Sequence, residues 1–559
     1  MDQLEGVLDG QKIAYFSMEI GLNNEIPTYN GGLGVLAGDT IRSSTDLNVP
    51  LVGVTLISKK GYFRQKLDEA GRQTEHPEDW DPNRYMKMLS THVSVNIGGR
   101  EVKIGAWLYE NKSPTGLKVP VILLDTDLEV NDPQDREITH HLYGGDQVYR
   151  LKQEIVLGMG GVRMLDALGF NIRKYHMNEG HSSLLTIELL NRDGMNSKKV
   201  KQLCVFTTHT PVEAGHDKFS FDIVDQLITD EEIQRLLRKY GGKDWKLNMT
   251  LLGLNLSNFI NGVAKRHRDI SAEMFPGYKI EAITNGVHSY TWTCQCFREL
   301  YDRYIPGWAN EPELLVRVHG ITDSEIWNTH MKAKKQLIDY VNRLKNTDLD
   351  YDSLTLGFAR RSTGYKRPKF IFQDIKRLKR INSKGRIQII FAGKAHPRDH
   401  EGKKLIEEIF KHIKELENEI KIVYLENYDM ELASKITSGV DVWLNTPQRP
   451  LEASGTSGMK AAHNGVVNFS VLAGWWIEGC IEGVTGWSIG PHPSEDWSPE
   501  ETETLEKDDF YNKLEYVIIP TYYQARNRWI RIMNNSIGMI AYYFNSHRMV
   551  HHYVTNAYL

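Results

Sequence analysis

Cysteine is scarce: the 559 residues contain only Cys204, Cys294, Cys296 and Cys480, with no CxxC pair and no regular spacing. That excludes a disulfide framework, argues against a structural zinc site, and fits free thiols in a reducing compartment. No uninterrupted apolar run approaches membrane-spanning length, and the opening MDQLEGVLDGQK lacks a basic segment followed by an apolar one. The expectation is therefore a cytoplasmic protein with no membrane partner. An excess of one charge is missing as well. The formal net charge is −4, with acids and bases spread along the chain, which leaves no footprint for nucleic acid. Cations that bind phosphate must then be local. Repeats and low-complexity tracts are also absent.

What is present is ordinary globular composition, 40% hydrophobic and 25% charged, in a chain longer than one core usually organises. Two large domains are expected, 1–288 and 289–559, with helices over about 515–559. In the first half, short apolar runs (KIAYFSME, LVGVTLIS, VPVILLDTD, LCVFTTHT, IEAITNG) alternate with helical patterns, and SVNIGGREVKIGAWL reads as a hairpin on a GG turn. Val148, Leu151, Ile155, Met159, Val162 and Leu165 mark a core helix by their three- and four-residue steps. From about Leu354 a second alternation begins: LTLGFARR, IQIIFAGKAH, IKIVYLENYD and DVWLNTP. An amphipathic helix at Leu405–Leu416 supplies the crossover that parallel strands need. The fold class is α/β with two doubly wound domains. Residues 490–509 are rich in proline and acids and read as a surface connection.

The segment RPLEASGTSGMKAAHNG (449–465) sets small residues in front of Lys460. Gly455, Thr456, Ser457 and Gly458 can offer amide and hydroxyl donors to a phosphate at a helix N-terminus, with Lys460 reaching the same ligand. On composition alone it reads rather as a capped turn with a solvated lysine behind it. Asn30-Gly31-Gly32-Leu33-Gly34 precedes a plausible helix and can face an anion, or can be a tight turn. In GFARRSTGYKRPK, Arg360 and Arg361 end a strand and Lys366 follows; this is either a phosphate site at a sheet's carboxyl edge or a solvated basic loop. His209 ends the strand of LCVFTT, where a structural histidine is common. His176, Asn178, Glu179 and His181 of HMNEGH lack HExxH spacing and a third ligand, so no metal is assigned. Trp475 and Trp476 read as core packing.

EASGTSGMK resembles the pyridoxal phosphate lysine motif of the α-glucan phosphorylases. YNGGLGVLAGD, HMNEGHSS, TTHTPVEAGHD, ITNGVH, GYKRP and FNSHRMV are similar to the family's other segments, in the family's order, from about Ile13 to Arg548. The resemblance implies a GT-B architecture of two Rossmann-like domains facing each other across a cleft, with the C-terminal helices returning to the first domain. It implies pyridoxal 5′-phosphate in Schiff-base linkage to Lys460, with Gly31, Gly32, Thr456, Gly455, Tyr428 and Lys366 around the cofactor. It puts Arg361 and Arg360 on the substrate phosphate, and Asn285, Glu452, Ser454, Gly455, Leu33 and His209 on glucose, the His209 carbonyl lying near the anomeric carbon. The implied reaction converts an α-1,4-glucan and inorganic phosphate to glucose 1-phosphate with retention; a homodimer is the family expectation.

Two departures stand out. Arg360 occupies a position where relatives often have lysine, and Ala473 in SVLAGWW replaces a usual aspartate, removing a carboxylate that would fix a turn or orient the site. YFSMEI and the glycine loop arrive almost at once, which leaves no long N-terminal regulatory extension. The rivals are a GT-B glucosyltransferase using a nucleotide sugar, a glucan-binding homologue impaired by Ala473, and, remotely, an aminotransferase.

Overall fold

The computed structural model describes residues 8–192, 194 and 196–559. They form two compact units, one of Met1–Phe63, Pro77–Thr284 and Met549–Leu559, the other of Arg64–His76 and Asn285–Arg548, these bounds including the few undescribed residues.

The first unit is built on a sheet of β1 (Gln11–Ser17), β2 (Leu51–Leu56), β3 (Lys87–Met88), β4 (Val93–Ile97), β5 (Arg100–Lys112), β6 (Lys118–Asp125), β7 (Asn171–Asn178), β8 (Cys204–Thr207), β9 (Phe259–Gly262) and β10 (Glu281–Ala282). The order is β10-β9-β8-β7-β1-β2-β6-β5-β3, with β4 beside β5. Strands from β10 to β6 are parallel, and β3, β4 and β6 each pair antiparallel with β5. A parallel sheet must be covered on both faces, and β1 shows how: Ala14 and Phe16 enter one core, Ile13 and Tyr15 the other. The β4–β5 hairpin turns at Gly98-Gly99, both in the left-handed region that a two-residue turn requires. The core helix seen in the 148–165 periodicity is α1 (Gln147–Ile155) and α2 (Gly161–Ala167), joined by a π-helical turn at Val156–Gly160.

The second unit has six parallel strands, β11 (Leu354–Ala359), β12 (Ile387–Ala392), β13 (Lys421–Leu425), β14 (Val442–Asn445), β15 (Val467–Val471) and β16 (Gly486–Ile489), ordered β13-β12-β11-β14-β15-β16. The crossover helix between β12 and β13 is α3 (His400–Leu416), which buries Ile406, Ile409 and Leu416. Residues 64–76 form a hairpin bound here: Gln65 N donates to Asn427 Oδ1 at 2.6 Å, and Gln73 Nε2 to Ala395 O at 2.9 Å.

One expectation fails. Residues 490–509 are not all surface connection, since a helix, α4 (Pro499–Lys513), starts inside them. It buries Phe510 and Tyr511 near its end, and ahead of them the buried Glu506 binds Arg367 and Arg449. A capping box of Ser498 and Glu501 starts it.

Both sheets have a switch point, where successive crossovers leave in opposite directions. It lies between β1 and β7 in the first unit and between β11 and β14 in the second. Open α/β sheets bind ligands outside the carboxyl ends of the strands at such points.

Candidate functional site

In the second unit, the chain leaving β14 runs through Glu452–Thr456 into a short helix, α5 (Ser457–Ala462), which carries Lys460. Gly455 has φ +75°, the left-handed conformation that glycine adopts without strain. Lys460 is only 6% exposed, and its Nζ lies 3.7 Å from the centroid of the Trp292 ring. Its helix is pinned: Trp443 Nε1 donates to Ser457 Oγ at 3.0 Å, and Asn464 Nδ2 donates to the Lys460 carbonyl at 3.0 Å. Gly474 (φ +55°) comes so close to Ser454 that a Cβ would sit 2.1 Å from the Ser454 carbonyl, and Trp475 N donates to that same oxygen. Ala473 is buried in this turn.

Arg360 leaves the end of β11 and reaches across the switch point, its Nη2 donating to Leu444 O of β14 at 3.1 Å. Burial weakens its hold on its proton, offset by Glu452, Tyr428 and Tyr365. Its buried Nε has no hydrogen-bond partner among the described residues. Arg361 is exposed. Lys366 forms an ion pair with the Glu452 carboxylate and stands over the Tyr365 ring. Tyr428 follows β13, and burial raises its phenol pKa against the opposing effect of Arg360. Asn285 is buried, its Oδ1 without a partner among the described residues, while its carbonyl accepts from Arg548 Nη2 at 3.0 Å. Thus ITNGVH and FNSHRMV meet: Ser546 N donates to Val287 O, and Gly286 has no room for a Cβ beneath the Asn545 carbonyl.

In the first unit, the residues after β1, β7 and β8 converge. His209 follows β8; its N–H donates to Glu179 Oε2 at 2.7 Å and its Nε2 to Asn178 Oδ1 at 2.6 Å. Burial lowers its pKa to about 3, so the ring is neutral. Glu179 holds φ +75° and also accepts from Thr210 Oγ1 and Gly180 N. The HMNEGH side chains therefore serve different partners: His176 bonds Tyr558 and Thr207, and His181 lies 3.4 Å from Asp217. The glycine loop is held by Glu19, whose Oε2 accepts from Asn30 N (2.6 Å) and Gly31 N (3.2 Å), while Oε1 accepts from Tyr143 Oη (2.8 Å). The amide of Gly31 is thus engaged inside the protein. Gly31 and Gly32 have open space where a Cβ would be, and Leu33 is half-buried in the first turn of the helix Gly32–Asp46.

Sequence reasoning did not single out Trp292, Glu19 or Asn464 as site residues. Glu19 stands in the apolar run YFSMEI, where a carboxylate that ends a buried strand is the available signal.

The geometry defines a mixed α/β protein with parallel sheets and polar, partly cationic side chains gathered at both switch points. The family model for carbohydrate phosphorylases matches residues 196–483. Maltodextrin phosphorylase of Thermococcus litoralis is 39% identical over 98% of this chain and 70% of its own length. Glycogen phosphorylase of Aquifex aeolicus is 36% identical over 98% of this chain and 86% of its own. An uncharacterized protein of Methanocaldococcus jannaschii is 30% identical over 98% of this chain and 99% of its own. The chain belongs to the carbohydrate phosphorylase family.

Proposed function

We propose that this protein is an α-1,4-glucan phosphorylase that releases the non-reducing terminal glucose of a maltodextrin or glycogen chain to inorganic phosphate as glucose 1-phosphate, reversibly and with retention. The observation that carries the reading is the buried Lys460, seated behind the glycine-bearing loop on the β14 side of the switch point, in the same unit as Arg360, Lys366 and Tyr428. The two parallel-sheet units are read as the Rossmann-like halves of a GT-B architecture, with domains near 1–288 and 289–559. No described helix is long and apolar enough to cross a membrane, in keeping with a cytoplasmic enzyme.

The residues fit pyridoxal 5′-phosphate. Lys460 is the amine that would hold it covalently, Tyr428, Lys366 and the Gly455–Thr456 loop would hold its phosphate, and the partnerless Nε of Arg360 marks a buried place for an anion. When bound, the cofactor supplies a phosphate group able to exchange a proton with the substrate phosphate; its ring is not needed as an electron sink. Arg361 and Arg360 bind and orient inorganic phosphate by charge-assisted hydrogen bonds. Asn285 Oδ1 and the Glu452 carboxylate accept from glucose hydroxyls, and the ion pair with Lys366 holds Glu452 in place. His209 is neutral, so it adds no cation beside an anomeric carbon that becomes positive in the transition state, and Asn178 and Glu179 fix its carbonyl for that electrostatic role. Transfer from a nucleotide sugar is disfavoured because such chemistry needs no buried lysine.

The test is incubation with maltoheptaose and inorganic phosphate, assaying glucose 1-phosphate, beside Lys460→Ala. Product that requires both phosphate and Lys460 supports the proposal. Cofactor-loaded protein that forms none would refute phosphorolysis.

A further inference from the structure

Two neighbouring residues just past the end of the lysine helix, His463 and Asn464, bind it to the stretch from Ser289 to Tyr301 in the same unit. Asn464 is fully buried. Its Nδ2 donates to the Trp292 carbonyl at 2.8 Å and to the Lys460 carbonyl at 3.0 Å, and its Oδ1 accepts from Cys294 N at 2.8 Å. His463 makes the ties on either side of these. Its Nε2 lies 2.8 Å from Ser289 Oγ, its Nδ1 lies 2.7 Å from Met459 O, and its carbonyl accepts from Tyr301 Oη at 2.8 Å.

The Asn464 amide has two donor hydrogens and an acceptor oxygen, and all of them engage backbone groups. Its orientation is therefore fixed: turned over, it would set its oxygen against two carbonyls and its NH₂ against an N–H. Lys460 carries its amine on a chain of freely turning bonds, and rotamer entropy opposes holding such a chain in one place. The Trp292 ring, 1% exposed, offers the amine a face at 3.7 Å. A ring and a flexible chain from distant stretches stay opposed only where their backbones are fixed to each other. Asn464 does this directly, since one NH₂ group joins the carbonyl of Lys460 to that of Trp292.

We infer that Asn464 is a positioning residue: by locking the Lys460 backbone to that of Trp292, it keeps the lysine amine against the indole face and in place for the cofactor aldehyde. The inference rests on the reading of Lys460 as the pyridoxal phosphate lysine. Aspartate tests it because it has the same size and keeps the acceptor for Cys294 N. It sets an oxygen where the NH₂ stood, and that oxygen repels both carbonyls and drives the two backbones apart. The ties of His463 to Ser289 and Tyr301 are left as they were.

The experiment uses the full-length protein freed of cofactor and has two readouts. In the first, lysines are acetylated with a trace of acetic anhydride and quantified by mass spectrometry against Lys334. That lysine is a reference for the whole unit, since it is fully buried and paired with Asp441 and gains reactivity only if the unit loosens. Asn464→Asp should raise acetylation of Lys460 severalfold and leave Lys334 unchanged. In the second, pyridoxal phosphate is added, its uptake is followed by absorbance, and borohydride reduction makes the linkage permanent for mapping to Lys460. Uptake by Asn464→Asp should slow by at least about tenfold, within the roughly hundredfold loss that a misplacement of about 1 Å can bring. Tyr301→Phe, which breaks the neighbouring tie to the His463 carbonyl, should lower Tm and leave both readouts as in the unmutated protein. The inference is overturned if Asn464→Asp leaves Lys460 no more reactive, raises Lys460 and Lys334 together, or takes up pyridoxal phosphate at the unmutated rate. Unmutated protein that takes up none refutes instead the reading of Lys460, and the acetylation, made without cofactor, still decides whether Asn464 sets the amine.

Discussion

Replacing Glu179 by its isostere glutamine tests how the His209 segment is held. The carboxylate accepts three hydrogen bonds, from His209 N (2.7 Å) and Thr210 Oγ1 (3.0 Å) on Oε2 and from Gly180 N (3.1 Å) on Oε1. All three partners are donors, so both oxygens must act as acceptors. Glutamine has one acceptor and one donor end. With its oxygen toward His209, its NH₂ faces the Gly180 N–H; flipped, the NH₂ faces two donors. Either way a buried backbone N–H loses its partner, which costs about 1–3 kcal/mol, and a charge-assisted bond becomes a neutral one at a further cost of about 1 kcal/mol. The sum for Glu179→Gln is roughly 2–4 kcal/mol. At about 1.7 °C per kcal/mol for a unit of roughly 280 residues, Tm should drop by roughly 3–7 °C. Because the strained backbone at Glu179 (φ +75°) and the His209 carbonyl share this anchor, kcat/KM for phosphorolysis should fall by at least about tenfold, which is 1.4 kcal/mol of barrier. Thr210→Val, which removes one donor and strands nothing, should cost only about 1 kcal/mol. Scanning fluorimetry and initial rates at saturating and limiting glucan measure both. Burial raises the Glu179 pKa, and a protonated Glu179 would present the same O–H donor problem that glutamine does. A Glu179→Gln protein with unchanged Tm and kcat/KM would therefore mean that the side chain is protonated in the native state and that its anchoring role is wrong.

Acid should destabilise the protein well above the carboxylate range. Burial lowers His176 to about 3 and His216, His267 and His463 to about 4, from an ordinary 6.5. As pH falls below 6.5 the unfolded chain takes up protons that the folded one refuses, so stability is complete above about pH 6.5 and declines down to about pH 4. At pH 5.5 the loss is about 1.4 kcal/mol per histidine, or roughly 5–6 kcal/mol for the four. A Tm that stays level between pH 7 and 5.5 would contradict this. Lys334→Met strands the buried Asp441, which the lysine pairs together with His330 Nε2 and Thr355 N. Denaturant titration should show a loss of about 3–5 kcal/mol, and a neutral result would mean that water reaches Asp441.

Much of the fold could be read from the chain because apolar runs of strand length alternate with helical periods. The LTLGFARR, IQIIFAGKAH, IKIVYLENYD and DVWLNTP segments each contain a strand, and the Leu405–Leu416 stripe lies on a helix. Strands β7 and β9 were harder. The first half of β7, Asn171–Lys174, is polar and at most half-buried, so its pattern starts late, and β9 is only Phe259–Gly262. β15 and β16 sit among glycines and tryptophans that also read as packing. For the candidate site, local motifs located Lys460, Arg360, Lys366 and His209, but the side chains that hold them are distant in sequence. Trp292 beneath Lys460, Glu19 beneath Asn30 and Gly31, and Glu179 on His209 become neighbours only through strand order.

The Met549–Leu559 tail has a consequence for how the molecule comes into being. His176, whose strand β7 flanks one side of the first unit's switch point, bonds Tyr558, and Tyr553 reaches Thr207 and Asn261. A ribosome delivers those tyrosines only after the entire second unit has been made. The first unit therefore waits, with His176 and its neighbours uncovered, until residues 549–559 have been made, and only then can these hydrogen bonds close. Removing residues 549–559 would leave the earliest-made sheet unfinished, whatever the state of the unit that carries the lysine.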